Sequence, residues 1–143
     1  MDEIDLQILE MLKSNGRMTS SEISKVIHLS VPAITERIRK LEKNGVIDQF
    51  TVKLNRKAIG QNFVVFIFVQ LHGSAETQKF RENIIQSPLV LECHHISGEY
   101  DYLLKVGLAD LSEMEEFITH TLKANHDVVR SNTIFILSSL KEE

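Results

Sequence analysis

Apolar residues recur at helical spacing through the first third of the chain and at strand spacing after it. In Asp2–Leu12, Ile4, Ile8, Met11 and Leu12 fall on one helical stripe, and Asp2 and Asp5 occupy the first turn, where the helix dipole favours acids. Asn15-Gly16 is read as the stop, glycine being suited to the left-handed conformation past a helix end. Thr19-Ser20-Ser21-Glu22 has the capping-box spacing, in which Thr19 takes the amide three residues on and Glu22 reaches back. Ile23, Val26 and Ile27 are expected on the inner face of this second helix. The short turn His28-Leu29-Ser30 precedes a third helix from about Val31 to Asn44, with Ser30 as N-cap, Pro32 tolerated in the first turn and Gly45 as the stop. Two helices joined by so short a turn form a helix-turn-helix.

After Gly45 the period changes. Val46–Leu54 is rich in β-branched residues and alternates from Phe50 onward, which predicts a strand or two-stranded ribbon able to act as a wing. Residues 55–61 read as a linker between a domain spanning 1–54 and a second spanning 62–143. The second half predicts strand 63–71, helix 75–86, strand 89–97, strand 102–108, helix 111–124 and strand 128–140. This βαββαβ order is the ferredoxin-like arrangement, one antiparallel sheet with both helices on one face, so the fold class is α+β. Leu111, Met114, Phe117, Ile118 and Leu122 form the inner stripe of the last helix, with Glu113, Glu115 and Glu116 mostly outside it.

Phe63–Val69 is apolar at every position, whereas a half-exposed antiparallel strand alternates. Helices cover only one sheet face in this topology, so the other is expected to pack on a second subunit; Ile134–Leu137 repeats the signal. A blander reading places this strand centrally, against the other domain.

Composition narrows the classes. The chain has 143 residues, one cysteine and a net charge of −4. A monomer of this size buries only about two-thirds of its surface, which favours oligomers. The longest apolar run is seven residues and the N-terminus is acidic, so neither a membrane span nor a secretory leader is expected, and the expected location is the cytoplasm. Cys93 has no possible internal disulfide partner and is expected to be a buried apolar residue. Residues 1–60 carry ten Lys/Arg against eight Asp/Glu, whereas residues 61–143 carry six against twelve. That asymmetry suggests two jobs, although the basic excess is too small to establish nucleic-acid binding without its placement.

The placement is informative. With Ile34, Ile38 and Leu41 facing the core, Pro32, Glu36, Arg39, Lys40 and Lys43 project outward, with Thr35 on the flank. The candidate DNA-contacting set is therefore Ser30, Val31, Pro32 and Ala33 in the first turn, followed by Thr35, Glu36, Arg39, Lys40 and Lys43. A polar first turn followed by three cations suits a helix that meets base edges with its start and phosphates with its basic side chains. Alone, such a helix reads first as a solvated amphipathic element in which Glu36 and Lys40 form an i,i+4 pair. Its place within a helix-turn-helix favours DNA.

Other chemistry is sparse. His94 and His95 are adjacent on a strand and point to opposite faces, and His120 and His126 lack a ligand motif, so no metal is expected. Phosphate loops, nucleophile elbows and zinc-protease patterns are missing, and no catalytic role or cofactor is expected. Gly98-Glu99-Tyr100-Asp101 lies between two predicted strands and reads from its residues as a hairpin turn or as a ligand loop.

Asp5–Leu9, Asn15–Arg17, Leu29–Glu42 with Gly45–Ile47, and Ser97–Val106 resemble the leucine-responsive/asparagine-regulator (Lrp/AsnC, "feast/famine") transcriptional regulators over essentially the whole chain. The resemblance implies an N-terminal winged helix-turn-helix that binds double-stranded DNA and a C-terminal amino-acid-binding ferredoxin-like domain. It also implies homodimers through the sheets and, commonly, octamers of four dimers. It places the effector at Gly98, Glu99, Tyr100, Asp101 and Tyr102, where Gly98 opens the backbone to a ligand and Asp101 accepts from its α-ammonium. Two other classes stay open: an architectural, nucleoid-type DNA-binding protein without a ligand, and a metabolite-binding or enzyme subunit whose N-terminal half docks a protein.

Overall fold

Three helices, α1 (Glu3–Ser14), α2 (Ser20–Ile27) and α3 (Val31–Lys43), build the first of two units, Met1–Lys53. The structure, a computed structural model, describes residues 1–73, 77–124 and 127–142. Each helix starts where a side chain caps its orphan amides. Asp2 and Asp5 form a reciprocal capping box on α1, Thr19 and Glu22 another on α2, and the Ser30 hydroxyl accepts from the Ala33 amide at 3.3 Å on α3. The apolar stripes meet in a core of Ile8, Leu12, Ile23, Ile34 and Leu41, flanked by Ile27, Leu29, Ile38 and Ile47.

Three local expectations are corrected. Asn15 ends α1 in extended conformation, with its Oδ1 accepting the Arg17 amide at 3.1 Å, so Gly16 needs no left-handed backbone. That role falls instead to His28 after α2 (φ 60°) and to Gly45 after α3 (φ 68°). Val26 is exposed, because a helix of only eight residues turns a single stripe, led by Ile23, toward the core. The strand expected over 46–54 makes no ladder: an isolated strand has no partner for its backbone groups, and the sheet of the second unit uses other strands.

The second unit, Leu54–Glu143, opens with a 3₁₀ turn at Lys57–Ile59, inside the segment read as a linker. It continues as β1 (Phe63–Leu71), α4 (Thr77–Ile84), β2 (Val90–His95), β3 (Tyr102–Leu108), α5 (Leu111–Glu116), a π-helical turn (Phe117–Leu122) and β4 (Val128–Phe135). The antiparallel sheet runs β2-β3-β1-β4, which is the ferredoxin-like order. Val65, Ile67 and Val69 of β1 and Tyr102, Leu104, Val106 and Leu108 of β3 form its inner face and pack on Phe80, Ile84, Phe117 and Leu122 of the helices. The other face carries Val64, Phe66, Phe68, Leu103 and Ile134, none of them fully buried.

Helix 111–124 is not one regular helix. Phe117 and Leu122, five residues apart, are both buried, and the Lys123 amide donates to the Ile118 carbonyl at 2.9 Å; a π turn brings residues five apart onto one face. Strand 128–140 stops at Phe135, opposite Val65, because β1 begins at Phe63 and offers no pairing partner much further on; Leu137 is 97% exposed. Strand 89–97 is shorter than expected, at Val90–His95. Of helix 75–86, residues 75 and 76 lie outside the described residues and α4 covers Thr77–Ile84.

Candidate nucleic-acid interface and effector loop

The cap and core stripe of α3 determine which of its side chains face solvent. Ile34 and Leu41 are locked inward, so Ser30, Val31, Pro32, Thr35, Arg39, Lys40 and Lys43 are exposed, while Ala33 and Glu36 are half-buried. All nine candidate DNA contacts thus share the turn and outer surface of one helix. The Thr35 hydroxyl donates to the Val31 carbonyl at 3.0 Å, which leaves its oxygen able to accept. Glu36 does not pair chiefly with Lys40, whose Nζ is 4.0 Å away; it clasps Arg39, with Nε–Oε2 at 2.9 Å and Nη2–Oε1 at 2.8 Å. The hydrogen bond to Arg39 is also the main cause holding the Glu36 carboxyl below its ordinary range.

One cation of the helix is committed elsewhere. Arg37 Nη1 donates to Asp2 Oδ2 at 2.8 Å and to Asp5 Oδ1 at 2.7 Å, tying α3 to the start of α1. These bonds raise the Arg37 pKa. Sequence reasoning did not single out Arg37, since no local spacing links it to acids more than thirty residues away.

In the second unit the five effector candidates divide between the two sheet faces. Gly98 is left-handed (φ 124°), a conformation that a side chain would strain. Glu99 pairs with Arg130 of β4, whose guanidinium also donates to Tyr100 Oη at 2.7 Å and lies 4.7 Å from the centre of that ring. Tyr100 in turn contacts Phe68 on the open face, with centroids 5.4 Å apart. No Lys or Arg adjoins this loop in the sequence, and antiparallel pairing of β4 with β1 brings Arg130 to it. Cross-strand register, not sequence distance, decides such meetings.

Asp101 and Tyr102 turn inward. The Asp101 carboxylate accepts the Leu71 amide at 2.7 Å, and its own amide donates to the Val69 carbonyl at 2.9 Å. Tyr102 packs between Phe80 and His95, and its hydroxyl accepts from Arg81 Nε at 2.5 Å. A depression of about 230 Å³ lies here, lined by Leu71, Gly73, Thr77, His95, Asp101 and Tyr102. That is below the roughly 300–1,000 Å³ typical of drug-sized sites and suits a small metabolite. Arg81, like Arg130, had no signal in the sequence.

Among the described residues no group of three or more His, Cys, Asp or Glu is placed to hold a metal ion. His94 pairs with Glu92 while His95 stacks on Tyr102, and His126 lies outside the described residues. Cys93 is half-buried against the core, and burial pushes its thiol pKa up. No helix is long and apolar enough to cross a membrane among the described residues.

A three-helix unit with a capped, basic outer helix, joined in one chain to a ferredoxin-like sheet, defines a two-part DNA-binding regulator. Residues 1–48 match the profile described as "Winged helix-turn-helix DNA-binding", and residues 62–143 match "Lrp/AsnC ligand binding domain". The leucine-responsive regulatory protein of Rhizobium meliloti is 33% identical over 99% of this chain and 92% of its own, and that of Escherichia coli K12 is 31% identical over 99% and 88%. Among solved structures, Bacillus subtilis LrpC superposes with a TM-score of 0.90 at 31% identity, covering 100% of this chain and 99% of that one. A transcriptional regulator of Neisseria meningitidis, solved as its complex with L-methionine, gives 0.94 at 29% identity over 99% and 93%. The chain belongs to the Lrp/AsnC family of DNA-binding transcriptional regulators.

Proposed function

We propose that this protein regulates transcription by placing α3 in the major groove of operator DNA and that it responds to an amino acid bound at the Gly98–Tyr102 loop. The observation that carries the first part is the division of labour on α3: Ile34 and Leu41 face inward while Thr35, Arg39, Lys40 and Lys43 face solvent behind a Ser30-capped first turn. The start of the helix meets base edges, and Lys40 and Lys43 follow the backbone. The protein acts as a regulator, with no catalytic step and no metal, in the cytoplasm where its DNA is.

The effector role rests on a left-handed glycine, an acid and a small depression at one end of the sheet, together with the L-methionine complex of the Neisseria relative. Asp101 has Oδ2 committed to Leu71, which leaves Oδ1 for an α-ammonium. The unit also forms a homodimer through the open sheet face around Phe66 and Phe68, with higher assembly to an octamer. Phe66, Phe68 and Leu103 stay half-exposed in the single chain, and both helices pack on the opposite face. Residues 1–54 serve as the DNA-binding domain, 55–61 as the linker and 62–143 as the effector and assembly domain.

Calorimetric titration of the twenty amino acids, with and without operator DNA recovered from genomic fragments, tests this reading. One amino acid should bind, and its affinity should differ when operator is present, because coupling between sites is reciprocal. Binding of none of the twenty, with weak sequence preference, would favour the architectural alternative. Failure to bind any DNA at low salt would favour the docking-module alternative.

A further inference from the structure

We infer that Glu36 is a positioning residue that holds Arg39 ready to read a guanine, so that the two side chains act as one base-reading unit and not as a base contact beside a phosphate contact. The inference deepens the proposal that α3 is the recognition helix and rests on it.

The geometry is specific. Both carboxylate oxygens of Glu36 are used, and both are on the Nε/Nη2 edge of Arg39. A guanidinium has a second fork, the terminal Nη1/Nη2 edge; Nη1 makes no hydrogen bond among the described residues, and the Arg39 side chain is 62% exposed. Two parallel N–H donors are what the O6 and N7 acceptors of guanine take in the major groove. An unrestrained arginine would have to order its long side chain on arrival, and the clasp orders it beforehand.

The pair has no evident structural duty. The Arg39 side chain is exposed and that of Glu36 is about half exposed, and such surface pairs add little to stability. α3 is already fixed by its Ser30 cap, by Ile34 and Leu41, and by Arg37 on Asp2 and Asp5. The carboxylate also discourages unspecific binding: in the midst of Arg39, Lys40 and Lys43 it subtracts charge from the face that meets phosphates. Glu36 thereby trades general affinity for sequence preference.

The test uses the full chain in five forms: wild type, Glu36→Ala, Arg39→Ala, Arg39→Lys, and Arg39→Ala combined with Lys43→Ala. Each is taken through selection from a randomised duplex library and then titrated, across salt concentrations, on the wild-type site and on a scrambled duplex. Wild-type sites should hold one guanine per half-site, preferred by about ten- to a hundredfold over other bases. Arg39→Ala and Arg39→Lys should both lose that preference, the lysine variant keeping its affinity for the scrambled duplex. Glu36→Ala should weaken the guanine preference several-fold, tighten binding to the scrambled duplex, and steepen the salt slope by about one as the released Arg39 moves to phosphate. The inference is overturned if Glu36→Ala keeps the wild-type site preference. It is equally overturned if Arg39→Lys keeps the guanine, or if Arg39→Ala weakens all duplexes alike. In those cases α3 remains the reader. Unchanged binding by the doubly substituted protein would instead remove α3 from the interface and overturn both readings.

Discussion

The Asp101 carboxylate accepts the backbone amide of Leu71 at 2.7 Å, tying the β2–β3 loop to the end of β1. The same side chain is the proposed partner of an effector's ammonium group, so it has a folding duty and a binding duty that different substitutions separate. In Asp101→Asn the amide oxygen still accepts from Leu71 while the charge is lost. Asp101→Ala loses both, leaving a part-buried donor unsatisfied at a cost of about 1–3 kcal/mol. Thermal melts should therefore show Asn near wild type and Ala lower. Calorimetry should show both variants binding the effector more weakly by roughly ten- to a hundredfold, the worth of one charge-assisted hydrogen bond. Equal effector affinity in wild type and Asp101→Asn would remove the acid from the site.

Arg37 and Arg39 are two residues apart on α3 and differ in role. Arg37→Met should lower the melting temperature of the N-terminal unit, because it strips Asp2 and Asp5 of their shared cation. Its effect on DNA affinity at a temperature where the unit stays folded should be small. Arg39→Ala should do the reverse. A DNA-binding defect of Arg37→Met as large as that of Arg39→Ala, at full folding, would contradict this division.

The caps of α1 and α2 make stability depend on acidity. Glu22 is held below its ordinary 4.5 first by the Thr19 amide and then by the Thr19 hydroxyl, and Asp2 below 3.8 first by the Asp5 amide and then by Arg37. Both folded values are depressed, so the contribution is complete above the unfolded values and is lost as pH falls through the folded ones. The unit should keep full stability down to about pH 4.5 and weaken below it. Thr19→Ala, which costs about 1 kcal/mol as a lost N-cap, should also flatten that acid slope. An unchanged slope in circular-dichroism melts from pH 6 to pH 3, roughly the span over which carboxylates titrate, would refute the assignment.

Phe66 and Phe68 project from the face of β1 opposite the helices and remain half-exposed. Phe66→Asp should shift the protein toward monomer in sedimentation without unfolding it, whereas Ile67→Ala, in the inner core, should cost about 2–5 kcal/mol in a folded subunit. A dimer reading DNA through two copies of α3 should favour an inverted repeat whose half-site centres are about 10 base pairs apart, or a multiple of that. Wild-type sedimentation as a monomer at micromolar concentration would remove the sheet face from the assembly.

Much of the candidate DNA interface was legible because it is local. Ser30, Thr35, Arg39, Lys40 and Lys43 are placed by one cap and one 3.6-residue period, and the structure puts them on one surface. The effector loop was legible only in part. Gly98 and Asp101 mark a turn by residue type, but Arg130 and Arg81 reach the loop and Tyr102 from residues 130 and 81, through β4 pairing and the packing of α4. The winged helix-turn-helix class held, matched over residues 1–48, but the strand expected at Val46–Leu54 did not form, for a related reason: alternation at Phe50–Leu54 expresses a capacity to pair, and pairing needs a second strand that nothing in those residues specifies.

Local chemistry in this sequence therefore determined the element types outside residues 46–54 and 117–122, the three helix caps, the left-handed Gly45, the βαββαβ order and the inward stripe of α3, since each depends on contacts three or four residues apart or on a simple period. Tertiary structure decided which charges are taken and which are available: Arg37 bound to Asp2 and Asp5, Arg130 to Glu99 and Tyr100, and Asp101 to Leu71. It also decided the π turn at Phe117–Leu122, where two buried side chains five residues apart must face one core. Coulomb attraction and hydrogen bonding depend on distance in space, and for these pairs only the folded sheet and helix packing bring that distance to about 3 Å.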